Sequence, residues 1–275
     1  MENKETKITK KIYSKNVTIE WKRLIKDSYH KLEFETTLFF LKKYLPKNGL
    51  ILDAGGGPGR YTIELAKLGY DIVLLDLVDE NLKFAKEQIK KAGVDNKIKQ
   101  IIQGSITDLS KFSNNTFDAV VSLGGPLSHI YPEEQRQKGV SELVRVSKKN
   151  SNIFISVMGK YGVLLNAPSN WPEEVELKKH FYNIVNNGDD YKWHGDGYCH
   201  YFTSNELENL CLKEKMKIIN KIGLEGLNIN SKVINKFAKN FPEAWKNWIN
   251  VHMKICTESF VVDSSSHILI IAKKL

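Results

Sequence analysis

Asp53 opens a run in which glycine recurs at 55, 57 and 59, with Gly56 and Pro58 between them, so that residues 52–61 read LDAGGGPGRY. Four of the chain's 18 glycines stand in this one stretch. A strand-to-helix turn without Cβ atoms lets a ligand rest against backbone, and its amides and helix N-terminus offer donors. Spacing separates the ligands that use such a turn. A phosphate-cradling loop closes on Gly-Lys-Ser/Thr, and here Gly59 is followed by Arg60-Tyr61. A dinucleotide fingerprint places a third glycine where this chain has Arg60. The pattern present is acid-x-Gly-x-Gly-x-Gly, for which a tight corner is the plain structural alternative.

Three other places carry side chains with chemistry. His129, in GGPLSHI, follows an apolar run and titrates near neutrality, which suits a general base or a hydrogen bond to substrate. A histidine satisfied structurally is the alternative there. His194, Cys199 and His200 are zinc donors by type, but H-x4-C-H lacks a fourth ligand at a recognised spacing, so no metal is expected. Between residues 160 and 202 lie Tyr161, Trp171, Phe181, Tyr182, Trp193 and Tyr201, enough aromatic surface to wall an apolar pocket or to form a small core of their own.

The elements that must position these residues alternate. Residues 49–55, 70–77, 97–104, 117–124 and 152–159 read as buried strands, with helical patterns over 60–69, 79–93 and 132–149 between them. The helix at 79–93 opens on acids and closes on lysines and Gly93, as the helix dipole prefers. Thr203 and Glu206 fit a capping box for a helix at 203–215, a strand follows at 216–227, a helix at 241–259 and a closing strand at 264–274. The expected fold is α/β: a doubly wound, mostly parallel seven-stranded sheet with helices on both faces. An N-terminal helical extension (1–47, with one helix over 21–45) precedes the core at 48–159. A capping insert at 160–202 follows the fifth strand, and 203–275 completes the sheet. Ligands of such sheets bind outside the carboxyl ends of the strands, where the glycines fall.

With these stations in place, residues 48–159 resemble the class I S-adenosylmethionine-dependent methyltransferases. LDAGGGPG is similar to that family's first motif, VLLDLVDENLKFAK to its second strand and helix, and QGSITDL and FDAVVSLGGPLSHI to the third and fourth strand ends. The resemblance implies S-adenosyl-L-methionine as cofactor. It places Gly55 and Gly57 against the methionine portion with Asp53 helping to position it, Asp76 on both ribose hydroxyls, Leu77 beside the adenine, Ser105 and Ile106 bordering it, and Leu123 near the methionine amino group. Two acceptor oxygens match a vicinal diol; a strand-end cap is the plain role for Asp76. The family often has an acid where Ser105 stands, and Asp108 is a structural residue or its substitute. In similar enzymes an N-terminal helix folds over the cofactor, which makes Tyr29 a candidate contact to the methionine portion.

Composition narrows the acceptor. The net charge is +9, and residues 1–47 hold 12 Lys+Arg against 6 Asp+Glu, leaving +3 for the rest. Only Arg23, Arg60, Arg136 and Arg145 are arginine, the residue that phosphate and base recognition favour. The fourth strand end reads SLGGPL, without the Asn/Asp-Pro-Pro-aromatic motif of enzymes that methylate exocyclic nucleobase amines. No cysteine follows a proline, as a cytosine-C5 nucleophile usually does. The leading expectation is therefore methyl transfer to a small-molecule acceptor, with His129 as catalytic candidate. RNA or protein methylation and non-catalytic cofactor binding are the alternatives. Nucleic acid is not favoured as a partner. The longest clearly apolar stretch, ILIIA, is too short to span a bilayer, no signal-peptide core is present, and a cytoplasmic protein with no membrane partner is expected.

Overall fold

The computed structural model describes residues 3–227 and 230–275. Seven strands form one sheet: β1 (Leu50–Ala54), β2 (Asp71–Asp76), β3 (Ile98–Gln103), β4 (Phe117–Ser122), β5 (Ser147–Met158), β8 (Met216–Gly223) and β9 (His267–Lys274), in the order β3-β2-β1-β4-β5-β9-β8. The pairs among β1 to β5 are parallel, and β9 enters antiparallel between β5 and β8. The chain order reverses direction between β1 and β4, which opens a crevice at their carboxyl ends.

Strand alternation builds a core on each face. On β1 and β2, Leu52, Val73 and Leu75 face one buried cluster, while Ile51, Ile72 and Leu74 face the other. The helices α4 (Arg60–Lys67) and α5 (Asp79–Ala92) bury Leu65, Leu82 and Ile89 in the second cluster; α6 (Glu133–Val146) and α10 (Ser204–Lys213) bury Leu143 and Leu207 in the first. The expected mostly parallel sheet with helices on both faces is what is found. Thr203 accepts from the Glu206 amide at 3.2 Å, as the capping pattern predicts, although the Glu206 carboxylate turns to His200 at 2.6 Å instead of closing the box.

Three segments differ from the sequence reading. The N-terminal extension holds three helices, α1 (Lys4–Lys15), α2 (Val17–Arg23) and α3 (Ser28–Tyr44), where one over 21–45 was expected. The chain breaks after Arg23 because Asp27, extended at φ −158, caps α3 by accepting from the His30 amide. After β5 come α7 (Lys160–Asn170), α8 (Pro172–Glu176) and α9 (Lys178–Asn187), and then a two-stranded hairpin, β6 (Asp189–Trp193) and β7 (Gly197–His200), that the aromatic-rich sequence did not disclose. Helix α6 ends at Val146, and β5 begins at Ser147, well before the expected 152. Between β8 and β9 lie α11 (Ser231–Asn240), α12 (Pro242–Ile255) and α13 (Ser259–Ser264). Among the described residues, no helix is long and apolar enough to cross a membrane.

Candidate active site

The carboxyl ends of β1 to β4 open onto a cavity of about 780 Å³. Its floor is the turn after β1, where Gly55, Gly57 and Gly59 take φ of 83°, 56° and 84°, a region that L side chains rarely adopt. A Cβ on Gly55 would lie 2.5 Å from Pro126, and a Cβ on Gly57 would have Asn81 Nδ2, 4.0 Å away, as its nearest neighbour. The bare face at Gly57 is thus open room. The amides of the turn, however, are turned inward. Gly55 and Gly56 both donate to the Leu75 carbonyl, at 2.7 and 3.1 Å, and Gly57 donates to Asp76 Oδ2 at 2.8 Å. The glycines provide close backbone approach, and the donors expected from sequence are spent on fixing the turn to β2.

Asp76 ends β2 at the cavity wall. Besides Gly57, it accepts from the Val78 amide (2.9 Å) and from Asn81 Nδ2 (3.1 Å), both on Oδ1. A carboxylate has about four acceptor positions, so one on Oδ2 is left. Beside it, Asn81 Oδ1 is buried and has no hydrogen-bond partner among the described residues. Burial raises the Asp76 carboxyl above its ordinary value against the pull of these donors. Leu77, Ser105, Ile106 and Leu123 line the same cavity.

The roof comes from α1 and α2. Lys4, Lys7, Lys11 and Lys15 form the exposed stripe of α1, and Thr6, Thr9 and Tyr13 face the cavity from the opposite side. Helix α1 touches α5 on one flank and β7 on the other, so it bridges the mouth. Helix α2 contributes Glu20 and Arg23. Arg23 donates through Nε to Glu20 Oε1 at 2.8 Å and through both terminal nitrogens to Glu33. Burial opposes its charge, but Glu20 and then Glu33 outweigh that and hold it well above the ordinary arginine value. Its Nη2 lies 3.2 Å from where a Cβ on Gly124 would stand. Arg60, at the start of α4, donates twice to the Trp21 carbonyl (2.9 and 2.6 Å) and stacks on the Trp21 ring at 3.8 Å, which pins α2 over the glycine turn.

His129 also lines the cavity, in the short 3-10 turn Pro126–His129. Its Nε2 is 3.0 Å from the Tyr13 hydroxyl and its Nδ1 is 3.1 Å from the Tyr198 carbonyl. The carbonyl accepts only, so Nδ1 carries the proton and Tyr13 donates to Nε2. Trp193 packs 4.3 Å from the imidazole. Burial pushes His129 down to about 4 and the Tyr13 hydroxyl well up.

Comparison with known proteins bears on this geometry. Residues 51–150 match the family model described as "Methyltransferase domain". This stretch contains the glycine turn, Asp76, Asn81, Ser105, Leu123 and His129. Residues 51–150 belong to the class I S-adenosylmethionine-dependent methyltransferases. A glycine/sarcosine N-methyltransferase of Aphanothece halophytica is 26% identical over 156 residues, 56% of this chain and 56% of that protein. A ribosomal protein L11 methyltransferase of Thermotoga petrophila is 32% identical over 121 residues, 44% of this chain and 41% of the other. The chain spans about half the length of the curated relatives it matches. In fold, it is similar to a putative S-adenosylmethionine dependent methyltransferase from Listeria monocytogenes (TM-score 0.60, 19% identity, 89% of this chain and 99% of the other). It is also similar to the geranyl diphosphate C-methyltransferase of Streptomyces coelicolor A3(2), solved with S-adenosyl-L-homocysteine (TM-score 0.57, 15% identity, 90% and 80%). The cofactor of this methyltransferase domain is S-adenosyl-L-methionine.

Most residues expected to surround that cofactor converge on the cavity: Gly55, Gly57, Asp76, Leu77, Ser105, Ile106 and Leu123, with His129 beside them. Two do not. Asp53 is fully buried behind the turn, on the β1 face that carries Ile51; Oδ2 accepts from the Thr62 hydroxyl at 2.6 Å, and Oδ1 is unpartnered among the described residues. Burial drives its carboxyl up to about 7. Tyr29 is buried in the first turn of α3, with its hydroxyl on Ser266 Oγ at 2.9 Å and its amide on Asn235 at 2.9 Å. The break after Arg23 sends α1 and α2 to the cavity and leaves Tyr29 on the sheet side. His129 as a free base is corrected as well, because both ring nitrogens already have partners.

The aromatic wall expected from 160–202 is not the lining of this cavity. Tyr161, Trp171 and Tyr182 are exposed, Tyr201 bonds Asp190 at 3.0 Å, and only Trp193 approaches, from behind His129. The place an aromatic cap would take is held by α1. His194, Cys199 and His200 do not gather: His200 lies between Asp189 and Glu206, and the Cys199 thiol is on the Met158 sulfur at 3.2 Å. Asp108 borders the cavity with Oδ1 on the Ser110 amide. Residues missed in the sequence are Thr9, Tyr13, Glu20, Arg23 and Asn81. For Asn81 the distance of five residues from Asp76 was the available signal; for the rest there was none, since a polar inner helix face gives no apolar periodicity.

Proposed function

We propose that the chain transfers the methyl group of S-adenosyl-L-methionine to a small-molecule acceptor within the cavity under α1 and α2. The observation that carries this reading is the pair of unused acceptors at the end of β2: one position on Asp76 Oδ2 and the buried, unpartnered Asn81 Oδ1, above a glycine whose missing Cβ leaves room. A vicinal diol brings two hydroxyl donors and needs two acceptors. By this reading Asp76 and Asn81 hold the ribose, Leu77, Ser105 and Ile106 flank the adenine, and Gly55, Gly57 and Leu123 receive the methionine end. Arg23, whose Nη2 points at Gly124, takes its carboxylate. Asp53 acts from behind the turn and touches no ligand.

Bound there, the cofactor supplies a methyl carbon open to in-line displacement. The chain's work is alignment and exclusion of water. Thr6, Thr9 and Tyr13 close the space from above, and the Tyr13–His129 pair fixes α1 to the loop after β4. The enclosure favours a small acceptor over RNA or protein, because a polymer would have to displace α1. The lysine stripe of α1 faces away from the cavity.

Calorimetry with S-adenosyl-L-homocysteine, followed by labelled-methyl transfer from the cofactor to a metabolite extract and to total RNA in parallel, tests the proposal. Label in the small-molecule fraction is expected. Label in RNA alone refutes the small acceptor, binding without any transfer refutes catalysis, and failure to bind refutes the whole reading.

A further inference from the structure

We infer that Glu174, His180 and Asp190 form a zinc site that ties α8 and α9 to the hairpin behind His129. The site lies outside the cavity and is independent of the methyl-transfer reading.

Glu174 lies on α8, His180 in the first turn of α9 and Asp190 on β6. Each offers one ligand atom, and the three atoms lie within 4.8 Å of one another. His180 Nε2 is 3.4 Å from Glu174 Oε2 and 3.7 Å from Asp190 Oδ1. A charge-assisted hydrogen bond closes to about 2.7–2.9 Å. Ligands about 2.0–2.2 Å from a tetrahedral ion stand instead about 3.3–3.6 Å apart, the edge of the tetrahedron. The neighbouring cluster supplies the contrast. His200 also sits between an aspartate and a glutamate, but gives each its own nitrogen: Nδ1 is 2.8 Å from Asp189 and Nε2 is 2.6 Å from Glu206. At His180 both acids converge on Nε2, which holds at most one proton and can satisfy only one of them.

The surroundings suit an ion. Asp190 is buried and oriented by two donors, the Lys192 amide on Oδ1 at 2.7 Å and the Tyr201 hydroxyl on Oδ2 at 3.0 Å, the kind of support that fixes a metal-ligating carboxylate. Among the described residues, no lysine or arginine forms an ion pair with Glu174 or Asp190. A divalent cation neutralises both carboxylates at once. One imidazole and two carboxylates are a three-ligand set for zinc, with water as the fourth ligand, whereas magnesium and calcium take oxygen ligands throughout. The Glu174 side chain is 30% exposed, which leaves the water position and the entry path on the solvent side. The donors stand six and ten residues apart on three elements, so they match no local ligand spacing. Bound there, the ion fixes the hairpin whose Tyr198 carbonyl and Trp193 ring hold His129.

The test uses the full chain, stripped with a chelator, and zinc chloride as the probe. Calorimetry is expected to show one zinc bound per chain, with a higher melting temperature in its presence. Glu174→Gln and His180→Gln, each checked for folding by circular dichroism, remove one ligand apiece. Each is expected to raise the zinc Kd about 100-fold and to abolish the melting shift. Magnesium chloride is expected to produce neither binding nor shift. No zinc binding by the folded wild-type chain, a zinc Kd unchanged in either folded variant, or magnesium binding as tight as zinc would each overturn the site.

Discussion

Replacing Asp76 by asparagine keeps the shape of the side chain and removes its charge. In the native site, Oδ2 accepts from Gly57 and Oδ1 from Val78 and Asn81. An amide has a single acceptor oxygen, so asparagine must turn its NH₂ toward one of these donors. Keeping the oxygen on Val78 and Asn81 saves two bonds, and the NH₂ then faces both Gly57 and the ribose. The ligand loses a charged acceptor, about 1.5–3 kcal/mol, and its Kd rises about 10- to 150-fold. Asn81→Ala removes a neutral acceptor, about 0.5–1.5 kcal/mol, which is about 2- to 12-fold. The assay is calorimetric titration of S-adenosyl-L-homocysteine into each variant, with circular dichroism and a cooperative melt to establish folding. The expected ranking is wild type tightest, then Asn81→Ala, then Asp76→Asn. A folded Asp76→Asn that binds as tightly as wild type refutes the ribose assignment, and the placement of adenine at Leu77, Ser105 and Ile106 goes with it.

Asp53 gives a stability prediction with a definite sign. Its folded-state carboxyl titrates near 7 against an ordinary 3.8, so the folded state binds the extra proton between those values and stability is lost as pH rises through them, by at most about 4 kcal/mol. Asp53→Asn should therefore gain on wild type from about pH 4 to pH 7 in urea melts; the variant-minus-wild-type difference cancels the opposite trend of His129 and His252, both pushed down to about 4, and a flat difference refutes the reasoning. Tyr13→Phe leaves His129 Nε2 without its donor and should cost about 1–3 kcal/mol of stability at neutral pH in the same melts. Equal stability would show that α1 is not fixed to the loop by this pair.

The legible part of this protein was local in sequence. Glycines at alternate positions after a buried strand, an acid at the end of the next strand and helices opened by acids are all patterns within a few residues, imposed by backbone sterics and the helix dipole. They determined the mostly parallel sheet and the position of its crevice, and the family resemblance built on them put Gly55, Gly57, Asp76 and Leu123 at the cavity. The resemblance misplaced Asp53, because a residue's parity on a strand does not say whether the turn beyond it will cover the side chain. It also misplaced Tyr29, because Asp27 breaks what reads as one helix.

The roof was decided only in three dimensions. Tyr13 reaches His129 across 116 residues, Arg23 comes up to Gly124, and Glu20 joins Asp76 in lining the cavity from a segment with no strand nearby. The cavity-facing residues of α1 are Thr6, Thr9 and Tyr13; the apolar spacing Ile8–Ile12 marks the helix without marking that face, and its lysines signal only the side that meets water. Which polar groups close a cavity depends on pairings between distant elements, and those pairings exist only once the sheet has brought the strand ends together.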